Sequence, residues 1–150
     1  LIAAQFHLLF RKPHLFMDIN RIMGGDYADT GTLREALFAG EVDEAMLEIW
    51  LRRMQPESHQ ALWDMSMFNL PRLHAMNRPP MLILGAEHDV LVPAFLVQST
   101  GRSYGLPVHI FRDMGHAVTH EREWRVVAGA VSAWLEALGA WSRPGSAVVR

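Results

Sequence analysis

The run Met81-Leu82-Ile83-Leu84-Gly85 sets the tightest limit on what this chain can fold into. It is continuous and apolar, preceded by Pro79 and Pro80 and followed at once by the polar stretch "GAEHD". A short run with no polar alternation predicts a strand covered on both faces, which is the habit of parallel sheets. "GLPVHIF", residues 105–111, predicts a second strand. About 20 residues separate the two, and from Pro93 to Tyr104 they have helical texture, enough for a parallel crossover, which would be right-handed. A last helix follows, with Trp124, Val127, Val131, Leu135 and Leu138 on one stripe and Glu121, Glu123, Arg125 and Glu136 on the solvated side. The fold class expected is therefore α/β.

Upstream of this the chain predicts helices. "DTGTLREALFAG" carries a capping box, Thr32 with Glu35, and Gly40 suits a left-handed C-cap. In "EVDEAMLEIWLRRMQP" the apolar residues Leu47, Trp50, Leu51 and Met54 recur at helical spacing, with Arg52 and Arg53 near the end to complement the dipole. Pro56 ends that helix and opens another, "PESHQALWDMSMF". The opening "LIAAQFHLLF" is too short to span a bilayer and has no basic region before it, so buried or half-buried structure is expected. Three parts result: a helical segment over 1–70, an α/β portion over 71–139, and a frayed tail over 140–150.

A net charge of −2 without a Lys/Arg block speaks against nucleic acid and against a polybasic membrane patch. The chain has no cysteine, which excludes a thiolate nucleophile and fits a reducing, cytoplasmic setting. Small-molecule partners, no nucleic acid and no stable membrane anchor are the expectation.

Each predicted strand runs into a polar cluster: Glu87, His88 and Asp89 after the first, Asp113 and His116 after the second. In parallel α/β sheets ligands sit beyond the carboxyl ends of the strands. Neighbouring strands lie about 4.8 Å apart, so an acid from one loop can reach a histidine from the next. Such an acid fixes the imidazole tautomer and steadies the imidazolium formed during proton transfer. Glu87 and Asp113 are read as solvated loop carboxylates. His116 could instead merely cap the last helix, and Asp89 could be an ordinary turn residue.

"RPPMLILGAEHDVLVP" followed by "GLPVHIFRDMGHAVTHEREWRVVAGAVSAWLEAL" resembles the carboxy-terminal end of an α/β-hydrolase, over residues 79 to 138. The family's order is a late strand, an acid loop ending in Asp and then Val-Pro, the last strand, and Gly-His opening the terminal helix. "LREALFAG" and "QPESHQALWDMSMFNLP" resemble, more loosely, the cap of lysophospholipase-like and carboxylesterase-like members. The resemblance implies that Asp89 is the catalytic acid and His116 the general base. It also implies a partial α/β-hydrolase fold, with a helical cap segment before the last two parallel strands and their flanking helices.

The family's nucleophile sits in a G-x-S-x-G turn, which this chain lacks. None of the serines at 58, 66, 99, 103, 132, 142 and 146 stands at a strand-to-helix elbow, and the glycine-rich oxyanion loop is also absent. The chain starts with Leu inside an apolar run, which points to a fragment or a processed product, and the resemblance implies that the nucleophile-bearing half is missing from it. The expected function is the carboxy-terminal portion of a serine hydrolase acting on ester or related acyl substrates. Without the nucleophile, which is worth about a million-fold in turnover, the isolated chain should be inactive.

Two other functions fit the same residues. One is a non-catalytic module that binds a partner chain or an apolar ligand, with self-association through an exposed sheet edge. The other keeps the fold with dehalogenase, epoxide hydrolase or C–C hydrolase chemistry. No cofactor and no metal are expected: His116 and His120 have i, i+4 spacing, but "HAVTH" lacks the glutamate of H-E-x-x-H and a third ligand. Trp50, Trp63, Met65, Met67 and Phe68 are expected to be core, with a few lining an acyl pocket.

Overall fold

The computed structural model describes residues 2–23, 29–53, 58, 60–61, 64 and 79–139. They contain helices α1 (Ile2–Arg11), α2 (Pro13–Met23), α3 (Thr30–Leu37) and α4 (Glu44–Arg53), then strand β1 (Ile83–Ala86), helix α5 (Ala94–Tyr104), strand β2 (Val108–Phe111) and helix α6 (Trp124–Ala137). Mixed helix and strand, with a parallel strand pair, is the class observed. Of the helix expected after Pro56 only 58, 60–61 and 64 are described, and the tail after 139 lies outside the described residues.

The opening segment is a helix with one buried stripe. Ala4 and Leu8, four residues apart, turn inward, while Phe6 and Phe10 stack on each other at the surface, Phe10 being 78% exposed. Pro13 begins α2 at the position where its missing N–H costs nothing. Leu8 and Leu15 then pack with Ala36 of α3 into one small core.

The start of α3 differs from the expected capping box. Asp29, three residues before Thr32, is the N-cap, its Oδ1 accepting the Gly31 and Thr32 backbone N–H groups at 2.7 and 3.1 Å. Thr32 is inside the helix and donates its hydroxyl to Asp29 Oδ2 at 2.6 Å, while Glu35 turns to Lys12 and His14. A short carboxylate one turn upstream competes better for the free N–H groups than a hydroxyl already within the helix. The other end differs as well. The helix stops at Leu37 because Phe38 goes extended and packs with Leu33 and Leu47, so Gly40 plays no capping role. Leu47, the centre of the expected apolar face of α4, is 1% exposed.

In the α/β half, β1 and β2 pair in parallel with Ile83 opposite Val108 and Ala86 opposite Phe111. Helix α5 lies against one face, where a Cβ on Gly101 would overlap the Val108 side chain and one on Gly85 would crowd Val97. Helix α6 covers the other, joining Val127 to Ala86, Phe111 and Met114. Gly105, at φ 67°, supplies the left-handed turn that ends α5.

Both faces are covered as expected, yet Ile83, Leu84 and Gly85 stay half-buried, because among the described residues neither strand has a neighbour on its outer edge. The same narrowness explains the last helix. Fourteen residues of helix run about 21 Å against strands about 13 Å long, so Val127 is buried while Trp124 and Leu138 at the ends of the stripe stay exposed. Glu121 departs furthest from expectation: it precedes the helix rather than riding on its outer face, and it is 6% exposed.

Candidate active site

The loops leaving β1 and β2 are stitched together before any side chain is considered. The Glu87 and His88 N–H groups donate to the carbonyls of Phe111 and Met114, both at 2.9 Å, extending the ladder past the strand ends. This brings Asp89 and His116 to the same point, with His116 Nδ1 2.9 Å from Asp89 Oδ2.

The acid is the more fixed of the two. Its side chain is 9% exposed, and Oδ1 accepts the Leu91 and Val92 N–H groups at 2.9 and 2.8 Å. This turn points Oδ2 at the imidazole. With a carboxylate at Nδ1, the neutral ring carries its proton there, leaving Nε2 as the free acceptor. Among the described residues Nε2 has no hydrogen-bond partner, and the His116 side chain is 39% exposed. The hydrogen bond to Asp89 raises the His116 pKa above its ordinary value, against the opposing effect of burial and with help from the carboxylate charge. An imidazole held in one tautomer, with its other nitrogen unbonded among the described residues, can accept and return a proton.

The histidine loop is gripped on its other side by the helical half. Ala117 N–H donates to the Leu37 carbonyl at 2.8 Å. Glu121 Oε1 accepts both the Gly115 N–H, at 2.7 Å, and the Ala39 N–H, at 2.8 Å. Gly115 faces the backbone of residues 37–39 so closely that a Cβ there would lie 2.7 Å from the Leu37 oxygen. Sequence pattern gave no hint of this role, since Glu121 looks like any acid near the start of an amphipathic helix.

Two cavities open beside these loops. One, of about 590 Å³, has Asp89, Glu87, His88, Arg11 and Phe38 in its wall. The other, of about 370 Å³, is lined by Leu37, Phe38, Trp50, Arg53, Ala117 and His120. Trp50 stacks on Phe38 at 5.5 Å and meets the His120 ring edge-on at 4.6 Å, so it belongs to both core and cavity. Trp63, Met65, Met67 and Phe68 lie outside the described residues.

Glu87 and Asp113 are exposed loop carboxylates, as expected, but they gather with His88: their ligand atoms lie within 4.8 Å of one another. The Asp113 N–H donates to Glu87 Oε2 at 3.3 Å, and Asp113 adopts a φ of 54°. These are the described residues whose spacing could hold a cation. His116 and His120 are not among them; their Nδ1 atoms meet Asp89 and the Thr119 hydroxyl. Of the serines, Ser99, Ser103 and Ser132 lie within helices.

Compared with known proteins, the chain matches no family model, no curated protein and no solved structure. Among the described residues no helix is long and apolar enough to cross a membrane.

Proposed function

We propose that Asp89 and His116 are the acid and the general base of a hydrolase of the α/β class, acting on ester or related acyl substrates, whose nucleophile is supplied from outside these 150 residues. The observation that carries this is the 2.9 Å contact between a doubly anchored carboxylate and Nδ1 of an imidazole whose Nε2 has no hydrogen-bond partner among the described residues. In the reaction Nε2 takes the proton of the nucleophile as it attacks the acyl carbon, and Asp89 stabilises the resulting imidazolium. The imidazolium then protonates the leaving oxygen, and the neutral ring deprotonates the water that releases the acyl group.

The test compares the 150-residue chain with the product of the open reading frame extended upstream of Leu1, using p-nitrophenyl butyrate. The short chain should hydrolyse at the buffer rate. The extended product should carry a strand-to-helix nucleophile and lose about 10⁴- to 10⁶-fold in kcat on His116→Ala. Hydrolysis that survives His116→Ala would overturn the assignment. An aspartate in place of serine at the elbow would move the chemistry to the dehalogenase or epoxide hydrolase type, with the same histidine activating water. The sheet edges, which have no neighbour among the described residues, and the exposed Phe6 and Phe10 instead favour a partner-binding module, which a stable, inactive dimer of the extended product would support.

A further inference from the structure

We propose that Glu121 is a positioning residue for His116, clamping the histidine loop to the helical half so that the imidazole meets Asp89 only while that half is seated. This rests on the role proposed for His116, and it starts from a buried carboxylate with no cationic partner among the described residues. A buried charge is costly unless hydrogen bonds replace its water. Here one oxygen receives two N–H groups, Gly115 from the residue preceding His116 and Ala39 from the connection between α3 and α4. The two donors are 82 and 6 residues away in sequence, so the carboxylate joins segments that the chain itself does not.

Two neighbouring contacts act in the same direction. The Ala117 N–H on the far side of His116 donates to the Leu37 carbonyl. Gly115 provides the clearance that lets the two backbones touch. His116 is thereby held between fixed points at 115 and 117, with Asp89 completing the third support. Removing Glu121 releases the amino side of that frame and leaves Asp89 and its own turn intact.

The experiment is a pH titration of the imidazole signals of the 150-residue chain by NMR, with melting temperature recorded in parallel. Glu121→Ala should move the His116 midpoint down towards the free-imidazole value of about 6.5. Glu121→Gln, whose amide oxygen can accept both N–H groups, should retain the parental midpoint. Asp29→Ala, which removes the cap of α3 and touches neither site loop, controls for destabilisation alone: it should lower the melting temperature and leave the midpoint in place. A Glu121→Ala protein that melts earlier yet titrates like the parent would reduce Glu121 to a structural group and overturn the proposal. Amide exchange in the parent is the check that needs no variant. Gly115 and Ala39 should be protected and open together, and free exchange at Gly115 would also overturn the clamp. Asp89→Asn separates the two proposals, since an unmoved midpoint there sinks the acid–base pair itself.

Discussion

In the α/β half, position is dictated by backbone pairing: two strands in register, a ladder continued into the loops, and a helix on each face. Among the described residues of the helical half there is no ladder, and α1 to α4 are held by two small clusters, around Leu15 and around Leu47, and by exposed ion pairs such as Lys12 with Glu35. The lesson is in where the halves meet. Both small clusters take in residues from the loops that carry the candidate site, Val90 and Leu91 in one and Ala117 in the other. The helical half is therefore part of the mounting of Asp89 and His116.

The substitution that tests this most severely is Gly115→Val. Its Cβ would meet Ala39 N, Leu37 O and Phe38 C at 2.7 Å, all backbone atoms with no rotamer to yield. A loss of about 3 kcal/mol or more is expected, visible as a lower urea midpoint. An unchanged midpoint would mean that the halves do not touch there. Leu47→Ala comes next, at about 2 to 3 kcal/mol, the lower part of the usual range because its cluster is small and can partly collapse. If the two halves unfold as one unit, helical and tryptophan signals should shift together in that variant. Separate transitions would break the coupling. Asp29→Ala removes the cap of α3 and should cost about 1 kcal/mol by the same denaturation, with the site loops unaltered.

How much of this could be read in the chain follows the same division. The apolar run at 81–85, the spacing to "VHIF" and the polar residues at both strand exits determine the strand pair and bring Asp89 and His116 to one end, because parallel pairing is a rule of the backbone. The cap of α3 is not legible, since Asp29 and Thr32 both satisfy the local rule and only their relative position decides between them. Glu121 was invisible for a different reason. Its partners lie across the chain, and no periodicity encodes a contact spanning 82 residues. The cluster of His88 with Glu87 and Asp113 likewise needs the strand register before its members become neighbours.

The smallest expected effect separates the two halves by pH. The Asp89 hydrogen bond raises the His116 pKa in the folded chain. A raised histidine pKa means that folding is favoured by protonation. The stabilisation is fully present below the unfolded value of about 6.5 and fades as pH climbs through the folded value. Asp89→Asn should therefore lower stability more at about pH 6 than at about pH 9. The difference should stay below about 1 kcal/mol, because the half-exposed ring leaves solvent to screen the pair. Because Asn keeps an oxygen for the Leu91 and Val92 N–H groups, the turn should survive and the pH-dependent part belongs to the imidazole contact. The Asp29→Ala deficit, which involves no histidine, should be flat over the same range. If the Asp89→Asn deficit were equally flat, the 2.9 Å contact would be serving the loop rather than the proton, and His116 would be a structural residue in a structural turn.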